Sequence, residues 1–326
     1  LPVKQGQTRY KLRIAYCGYG TLPPASHAHL SLVGYGGNQR WCQLALGCGG
    51  ELITFNPDMS IGGSTAVCDV RLAMAIYGEN KNPWVWSDSG WGGDWLGIFD
   101  GKNKLNFAGM KVAYLAHGPC LSDVVYSGAY GSDRSVLVDA RVQLPRTDDY
   151  GRTFQDVDYR FQRELDAANT YFMKRHARLW DGVVAYGNAD GLIAEKRITG
   201  DLKKGDLLVP PTALEGPGPW WVAFPERSRQ RVGRDWPIGY VSLVIRDYEA
   251  TFGTNSYNTP HLQVRIAERE ENEARLETLF VPPPEVKSYG KGDRVKMDTE
   301  WLHLVTSTAE YGGFNEPFRK HLEENP

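Results

Sequence analysis

The sequence has no apolar run approaching the ~18 residues that a membrane-spanning helix needs, so no transmembrane segment is expected. It has no basic block either. Its 37 Lys and Arg are balanced by 39 Asp and Glu, for a net charge of −2. Without a cationic stripe or a zinc-knuckle spacing, nucleic acid is excluded as an expected partner. Walker, HExxH and EF-hand patterns are missing, and the glycines of GYGGNQRW are followed by no helical periodicity. No internal repeat appears at ~20–50 residues, which argues against a propeller or solenoid. Helix signals are scarce. The clearest is Glu310–Glu324, where Asn315 can cap a short helix with Pro317 in its first turn, and the stretch Asp166–Arg178 reads equally as helix or strand. Cysteine is sparse and odd in number: Cys17, Cys42, Cys48, Cys68 and Cys120 all fall in the first 120 residues, so internal pairing is incomplete. Cys42 and Cys48 are too widely spaced for a CxxC zinc site, and the five read as buried or structural.

What the chain has in abundance is strand. Asp123–Ala129, Val136–Leu144, Thr153–Phe161, Tyr240–Thr251, Leu262–Ile266 and Leu276–Val281 alternate apolar and polar residues or are rich in β-branched and aromatic ones. Tyr10–Ile14 has the same character. Gly, Pro, Asn and Asp clusters separate many of them at roughly the 8–12-residue spacing of sandwiches. The expected fold is all-β, a large antiparallel two-sheet β-sandwich with few short helices. Residues 1–326 read as a single β-sandwich domain with an irregular N-terminal portion over 1–50. Val209–Pro219 reads as a long loop that carries Trp220 and Trp221 to a surface, and Arg294–Val305 as a last edge strand. The start LPVKQ lacks an initiator Met, and HLEENP reads as a stop inside a longer polypeptide. Removal of a signal peptide or upstream segment, and membership of a multidomain protein, are therefore expected.

The most distinctive segment is PWVWSDSGWGGDWLGIFDG, beginning at Pro83. Trp86, Trp91 and Trp95 offer flat apolar faces, Asp88 and Asp94 offer acceptors, and the glycines allow close backbone approach. Sugars present apolar C–H faces ringed by hydroxyls, so aromatic faces beside carboxylates suit them. Asp148 and Asp149 in the turn PRTDDYG, and Asn188 in YGNADG, are further candidate substrate contacts. Gly90–Asp94 and Arg146–Asp149 are expected to share one cleft. The paired carboxylates Asp88/Asp94 and Asp148/Asp149 are the oxygen donors that a structural calcium ion would use; no cofactor is expected.

The segment order GGDWLGIFDG, then AHGPCLSDVVYSGAYGSDRSVLVDARVQLPRTDDYGRTFQDVDYRF, YGNADGLI, KGDRVKMDTEWLHLV and YGGFNEPFRKHL resembles that of large secreted bacterial polysaccharide-degrading proteins. Those proteins carry a galactose-mutarotase-like β-supersandwich, found in polysaccharide lyases and several glycoside hydrolase groups. The resemblance is one of pattern and covers most of the chain after about Gly34. It implies a polysaccharide or oligosaccharide partner and a secreted or periplasmic setting. β-Elimination at a uronic acid needs a proton acceptor and a group that neutralises the carboxylate. His27, Tyr126 and Arg146 are the catalytic candidates for it. A glycoside hydrolase using paired Asp and Glu and a non-catalytic carbohydrate-binding sandwich module are the alternatives.

Overall fold

The computed structural model describes residues 29–34, 42–48, 51–55, 67–75, 84–86, 93–117, 121–145, 150–177, 182–197, 202–229, 235–270 and 273–304. Strands account for nearly all of the regular structure. In chain order they are β1 (His29–Gly34), β2 (Cys42–Cys48), β3 (Glu51–Phe55), β4 (Val67–Ala75), β5 (Trp84–Trp86), β6 (Gly93–Asp94), β7 (Phe99–Asp100) and β8 (Asn103–Lys104). There follow β9 (Phe107–His117), β10 (Leu121–Tyr130), β11 (Val136–Pro145), β12 (Tyr150–Phe161), β13 (Leu165–Asp166), β14 (Met173–Ala177), β15 (Val183–Asn188) and β16 (Gly191–Arg197). The last eight are β17 (Leu207–Ala213), β18 (Trp220–Arg229), β19 (Asp235–Phe252), β20 (Asn255–Tyr257), β21 (His261–Glu270), β22 (Glu273–Val281), β23 (Ser288–Tyr289) and β24 (Arg294–Leu304). The fold is all-β, and no helix among the described residues is long and apolar enough to cross a membrane.

Two ten-stranded sheets carry the architecture. The first runs β1-β2-β3-β4-β6-β14-β22-β21-β17, with β5 paired to β4, and the second β16-β15-β18-β19-β24-β12-β11-β10-β9, with β20 paired to β19. Every paired strand is antiparallel to its neighbour. Period-two patterning decides which side chains face inward. On β11, Val136, Val138, Ala140, Val142 and Leu144 enter the core, while Asp139 and Arg141 point out and pair with Arg160 and Asp123. On the first sheet, Met173, Leu276, Phe280, Leu262, Val264 and Ile266 join the same core. One apolar layer therefore unites both sheets.

Two sequence expectations are corrected here, and two others gain detail. The strand Arg294–Val305 is not an edge: β24 lies between β19 and β12 in the middle of the second sheet. Its Val295, Met297 and Trp301 fill the core, as a central strand of a sandwich requires. The proposed loop Val209–Pro219 contains the edge strand β17, and Trp220 and Trp221 are buried, not surface-borne. The ambiguous stretch Asp166–Arg178 is strand, β14, preceded by the turn after β13. The N-terminal portion includes two regular strands, β1 and β2, paired from His29↔Gly47 to Gly34↔Cys42. Cys42 and Cys48 stand at opposite ends of β2. Six residues of extended chain put their Cα atoms about 20 Å apart, far beyond the ~7 Å limit for a disulfide. The candidate helix Glu310–Glu324 and the strand Tyr10–Ile14 lie outside the described residues.

Candidate functional site

Strand β14 reads MKRHA, and its alternation sorts it sharply. Met173 and Arg175 face inward, Arg175 lying 4.8 Å from the centre of the Trp301 ring. Lys174 and His176 face outward. Across the ladder, His176 is opposite Glu277 on β22, and Glu277 is opposite Arg265 on β21. On the other side Lys174 is opposite Asp94 of β6. Register alone thus lines up Asp94, Lys174, His176, Glu277 and Arg265 on the outer face of the first sheet.

The side chains close into a network. Glu277 Oε1 accepts from His176 Nε2 at 2.9 Å and lies 3.5 Å from Lys174 Nζ, while its Oε2 accepts from Arg265 Nε at 2.5 Å. Asp94, fully buried, accepts from Lys104 Nζ at 2.7 Å and from the Tyr171 hydroxyl at 2.9 Å. Lys174 Nζ sits 5.0 Å over the Tyr171 ring and so bridges the two carboxylate centres. Two glycines make this approach possible. A Cβ at Gly97 would fall 2.1 Å from the Tyr171 ring, and one at Gly93 would strike the Lys174 carbonyl at 2.0 Å. At Gly93 the close backbone approach serves strand β14 and the Trp301 ring, and Gly90 and Gly92 lie outside the described residues.

Burial and the neighbouring charges together set the protonation states. For Glu277, desolvation would raise the carboxyl, but the hydrogen bond from His176 and the charges of Lys174 and Arg265 outweigh it and hold it well below the usual carboxylate range. His176 is pushed down by burial and, secondarily, by the Lys174 charge, against the opposing pull of Glu277. Lys174 is also lowered, by burial first, with Glu277 and Asp94 resisting. An ionised Glu277 can only accept, so the neutral His176 carries its proton on Nε2 and presents a lone pair at Nδ1.

These shifts predict an acid-sensitive fold. Both groups keep depressed values in the folded state, so the unfolded chain binds more protons and stability falls with pH. The loss begins as pH drops through 6.5, the ordinary histidine value, and deepens below 4.5, the ordinary carboxyl value. Thermal melts across this range are expected to show His176→Gln removing the upper part of the dependence and Glu277→Gln the lower part. Variants that follow the wild-type slope throughout would contradict it.

Beside the network lies a cleft of about 320 Å³. Tyr171, Leu279 and Val281 form an apolar floor on the same sheet face. Arg265 and Gln263 of β21 border it, and the proline run after β22 makes its wall. The small ladder β13–β23, Leu165↔Tyr289 and Asp166↔Ser288, holds the rim in place.

The residues singled out in the sequence are dispersed. Asp94 belongs to the network. Trp95, the next residue, points the opposite way into the core, where Nε1 donates to Gln155 Oε1 at 2.8 Å. Tyr126 is equally enclosed, 5.5 Å from the Trp95 ring, and burial pushes its hydroxyl well above the ordinary value. In this structure both side chains are fully buried and pack in the core. Asn188 ends β15 on the second sheet, where Nδ2 donates to the Glu215 carbonyl at 2.6 Å and Oδ1 accepts from Asp190 N at 2.9 Å. It fastens a turn, remote in topology from Asp94. Trp86 belongs to β5, paired with β4, but its side chain lies outside the described residues, as do His27, Asp88, Trp91, Arg146, Asp148 and Asp149. The shared cleft expected of Gly90–Asp94 and Arg146–Asp149 falls there too. Among the described residues no group of three His, Cys, Asp or Glu side chains is arranged to hold a metal ion.

Tyr171, Lys174, His176, Arg265 and Glu277 were not anticipated. The signal was present: read as strands, MKRHA puts Lys174 and His176 on one face, HLQVR does the same for Gln263 and Arg265, and RLETLFV for Arg275 and Glu277. The helix–strand ambiguity over Asp166–Arg178 concealed it.

No family model matches the chain, and no curated protein matches it in sequence. Among solved structures it is similar to the galactosidase domain of the α-galactosidase–sucrose kinase AgaSK, at 8% identity and a TM-score of 0.43, over 84% of this chain and 41% of that one. It is also similar to a putative aldose 1-epimerase from Klebsiella pneumoniae, at 8% identity and a TM-score of 0.39, over 86% of this chain and 84% of that one. A GalM/aldose epimerase homologue from C. elegans aligns at 9% identity and a TM-score of 0.32, over 79% of this chain and 97% of that one. The chain thus spans about two fifths of the length of the galactosidase. Likenesses this remote assign no family, and the functional reading stands on the chemistry of the site.

Proposed function

We propose that this chain is a carbohydrate-active domain that acts on an acidic polysaccharide by β-elimination at a uronic acid, with the outer face of the first sheet as its site. The observation that carries the reading is the pairing of a neutral His176 and a cationic Arg265 on one carboxylate, Glu277, beside an apolar-floored cleft. Elimination requires a base of suitable pKa and a cation that quenches charge building on the uronate. Arg265 uses Nε on Glu277, and its terminal nitrogens hydrogen-bond nothing among the described residues. They are free to take a carboxylate through a two-pronged contact. His176 Nδ1 removes the proton from the carbon next to the uronate carboxyl. That C–H electron pair becomes the new C=C bond as the glycosidic C–O bond breaks. The imidazolium returns the proton to the departing oxygen.

Hydrolysis is less well supported. It calls for a carboxylic acid kept protonated near neutral pH, and Glu277 is held in the opposite state. A polysaccharide substrate accords with a secreted or periplasmic protein. The test is incubation with polygalacturonate, alginate and hyaluronan, followed by ultraviolet absorbance for unsaturated uronate and by a reducing-end assay. Unsaturated product is the expected result. Reducing ends without it would establish hydrolysis, and binding without turnover would establish a non-catalytic module.

A further inference from the structure

We infer that the cleft beside Tyr171 is a subsite for the sugar residue adjoining the uronate, so that the substrate is a chain and not a single sugar. The inference rests on His176 and Arg265 being the reaction centre, because Arg265 belongs to both the network and the cleft wall.

The cleft has the two surfaces that a pyranose needs. Its floor of Tyr171, Leu279 and Val281 is apolar, suited to the C–H face of a ring. Its polar groups are placed to receive hydroxyls. The Gln263 amide, with donors and an acceptor side by side, makes no hydrogen bond among the described residues and faces the cleft. Thr170, 3% exposed, lines the same cleft. Its polar neighbour is the Tyr289 hydroxyl, close enough to interact with it as a hydrogen-bond partner. A hydroxyl offers one donor and two acceptor positions, so this one contact leaves Thr170 with capacity that a sugar hydroxyl in the cleft would take up. At about 320 Å³ the cleft stands at the low end of small-molecule sites, which suits one sugar unit with its substituents.

The walls are also set before any ligand arrives. Tyr171 is held by its bond to Asp94 at 2.9 Å, the turn before it by Ala168 N donating to Asp166 Oδ1 at 2.7 Å, and the rim by Lys287 Nζ donating to the Pro284 carbonyl at 2.5 Å. Pro282, Pro283 and Pro284 have fixed φ and little freedom to lose. Preorganisation of this kind favours binding because less ordering remains to be done.

The test compares the affinities of the intact protein for glucuronic or galacturonic acid and for acidic tetrasaccharides cut from hyaluronan and polygalacturonate. Gln263→Trp fills the cleft from a half-buried outward position, and Gln263→Ala and Thr170→Val remove its hydrogen-bonding groups without adding bulk. Each is expected to weaken tetrasaccharide binding about tenfold and to move monosaccharide binding less than about twofold. Tetrasaccharide binding that is unchanged in all three variants would overturn the subsite, as would a wild type that binds monosaccharide and tetrasaccharide equally. His176→Ala and Arg265→Ala separate the two ideas. If they leave turnover intact while the Gln263 variants still lose tetrasaccharide, the reaction centre is misplaced and the cleft stands as a binding site. If they abolish turnover and the Gln263 variants behave as wild type, the reaction centre stands and the subsite falls. A wild type that binds none of the probes overturns both.

Discussion

Trp95→Ala is expected to lose about 3–5 kcal/mol of folding stability, the usual cost of truncating a buried aromatic. Domains of this kind have only ~5–15 kcal/mol in total, so the variant stands at the edge of unfolding. The size of the effect follows from what the residue holds together. Its ring lies 6.1 Å from Phe107 and 5.5 Å from Tyr126, and its Nε1 donates to Gln155. Its carbonyl and that of Phe172 both receive the Tyr159 hydroxyl, at 2.5 and 2.8 Å, which links β12 to the segments that enter and leave the first sheet. Trp95→Phe keeps most of the ring but leaves the Gln155 oxygen without its donor, at a cost of about 1–3 kcal/mol. Urea denaturation of the two variants measures both numbers. A Trp95→Ala protein that melts like wild type but no longer binds oligosaccharide would show that the ring serves a ligand after all.

His176→Ala is expected to lower formation of unsaturated uronate by roughly 10²–10⁴-fold, the range for a lost general base, with little loss of fold. Its side chain is 25% exposed, and among the described residues its hydrogen-bond partner is Glu277. His176→Gln is the sharper comparison. Gln can still donate to Glu277, so it preserves the position of the carboxylate and of Arg265, but it cannot accept a proton near neutral pH. If His176 is the base, the Gln variant is as inactive as the Ala variant and the limb of the pH–rate profile that reports the imidazole disappears. If His176 merely positions Glu277, Gln restores most of the rate and the profile keeps its shape. Lys174, Asp94, Glu277 and Arg265 all act on this imidazole or on its carboxylate, so the profile belongs to the cluster as a whole.

The sequence by itself determined the class of fold, because period-two alternation is a local property. Val136–Leu144 and Thr153–Phe161 declare their buried faces whichever strands lie beside them, and the observed β11 and β12 follow those faces. Asp94 could also be proposed from sequence, as a carboxylate among glycines and tryptophans. Which tryptophan faces a ligand and which faces the core could not, since Asp94 and Trp95 are adjacent and point to opposite sides of the sheet. Strand order was decided only in three dimensions. β24 reads as an edge until β19 and β12 are seen on either side of it, and edge character depends on neighbours far away in the chain. The candidate site belongs wholly to that level. His176 and Glu277 are 101 residues apart and Tyr171 and Asp94 are 77, and nothing in the segments between them records that β14 lies between β6 and β22. Ladder register brought those carboxylates, cations and imidazole to one face, where burial lowers His176 and the neighbouring cations and hydrogen bonds keep Glu277 ionised.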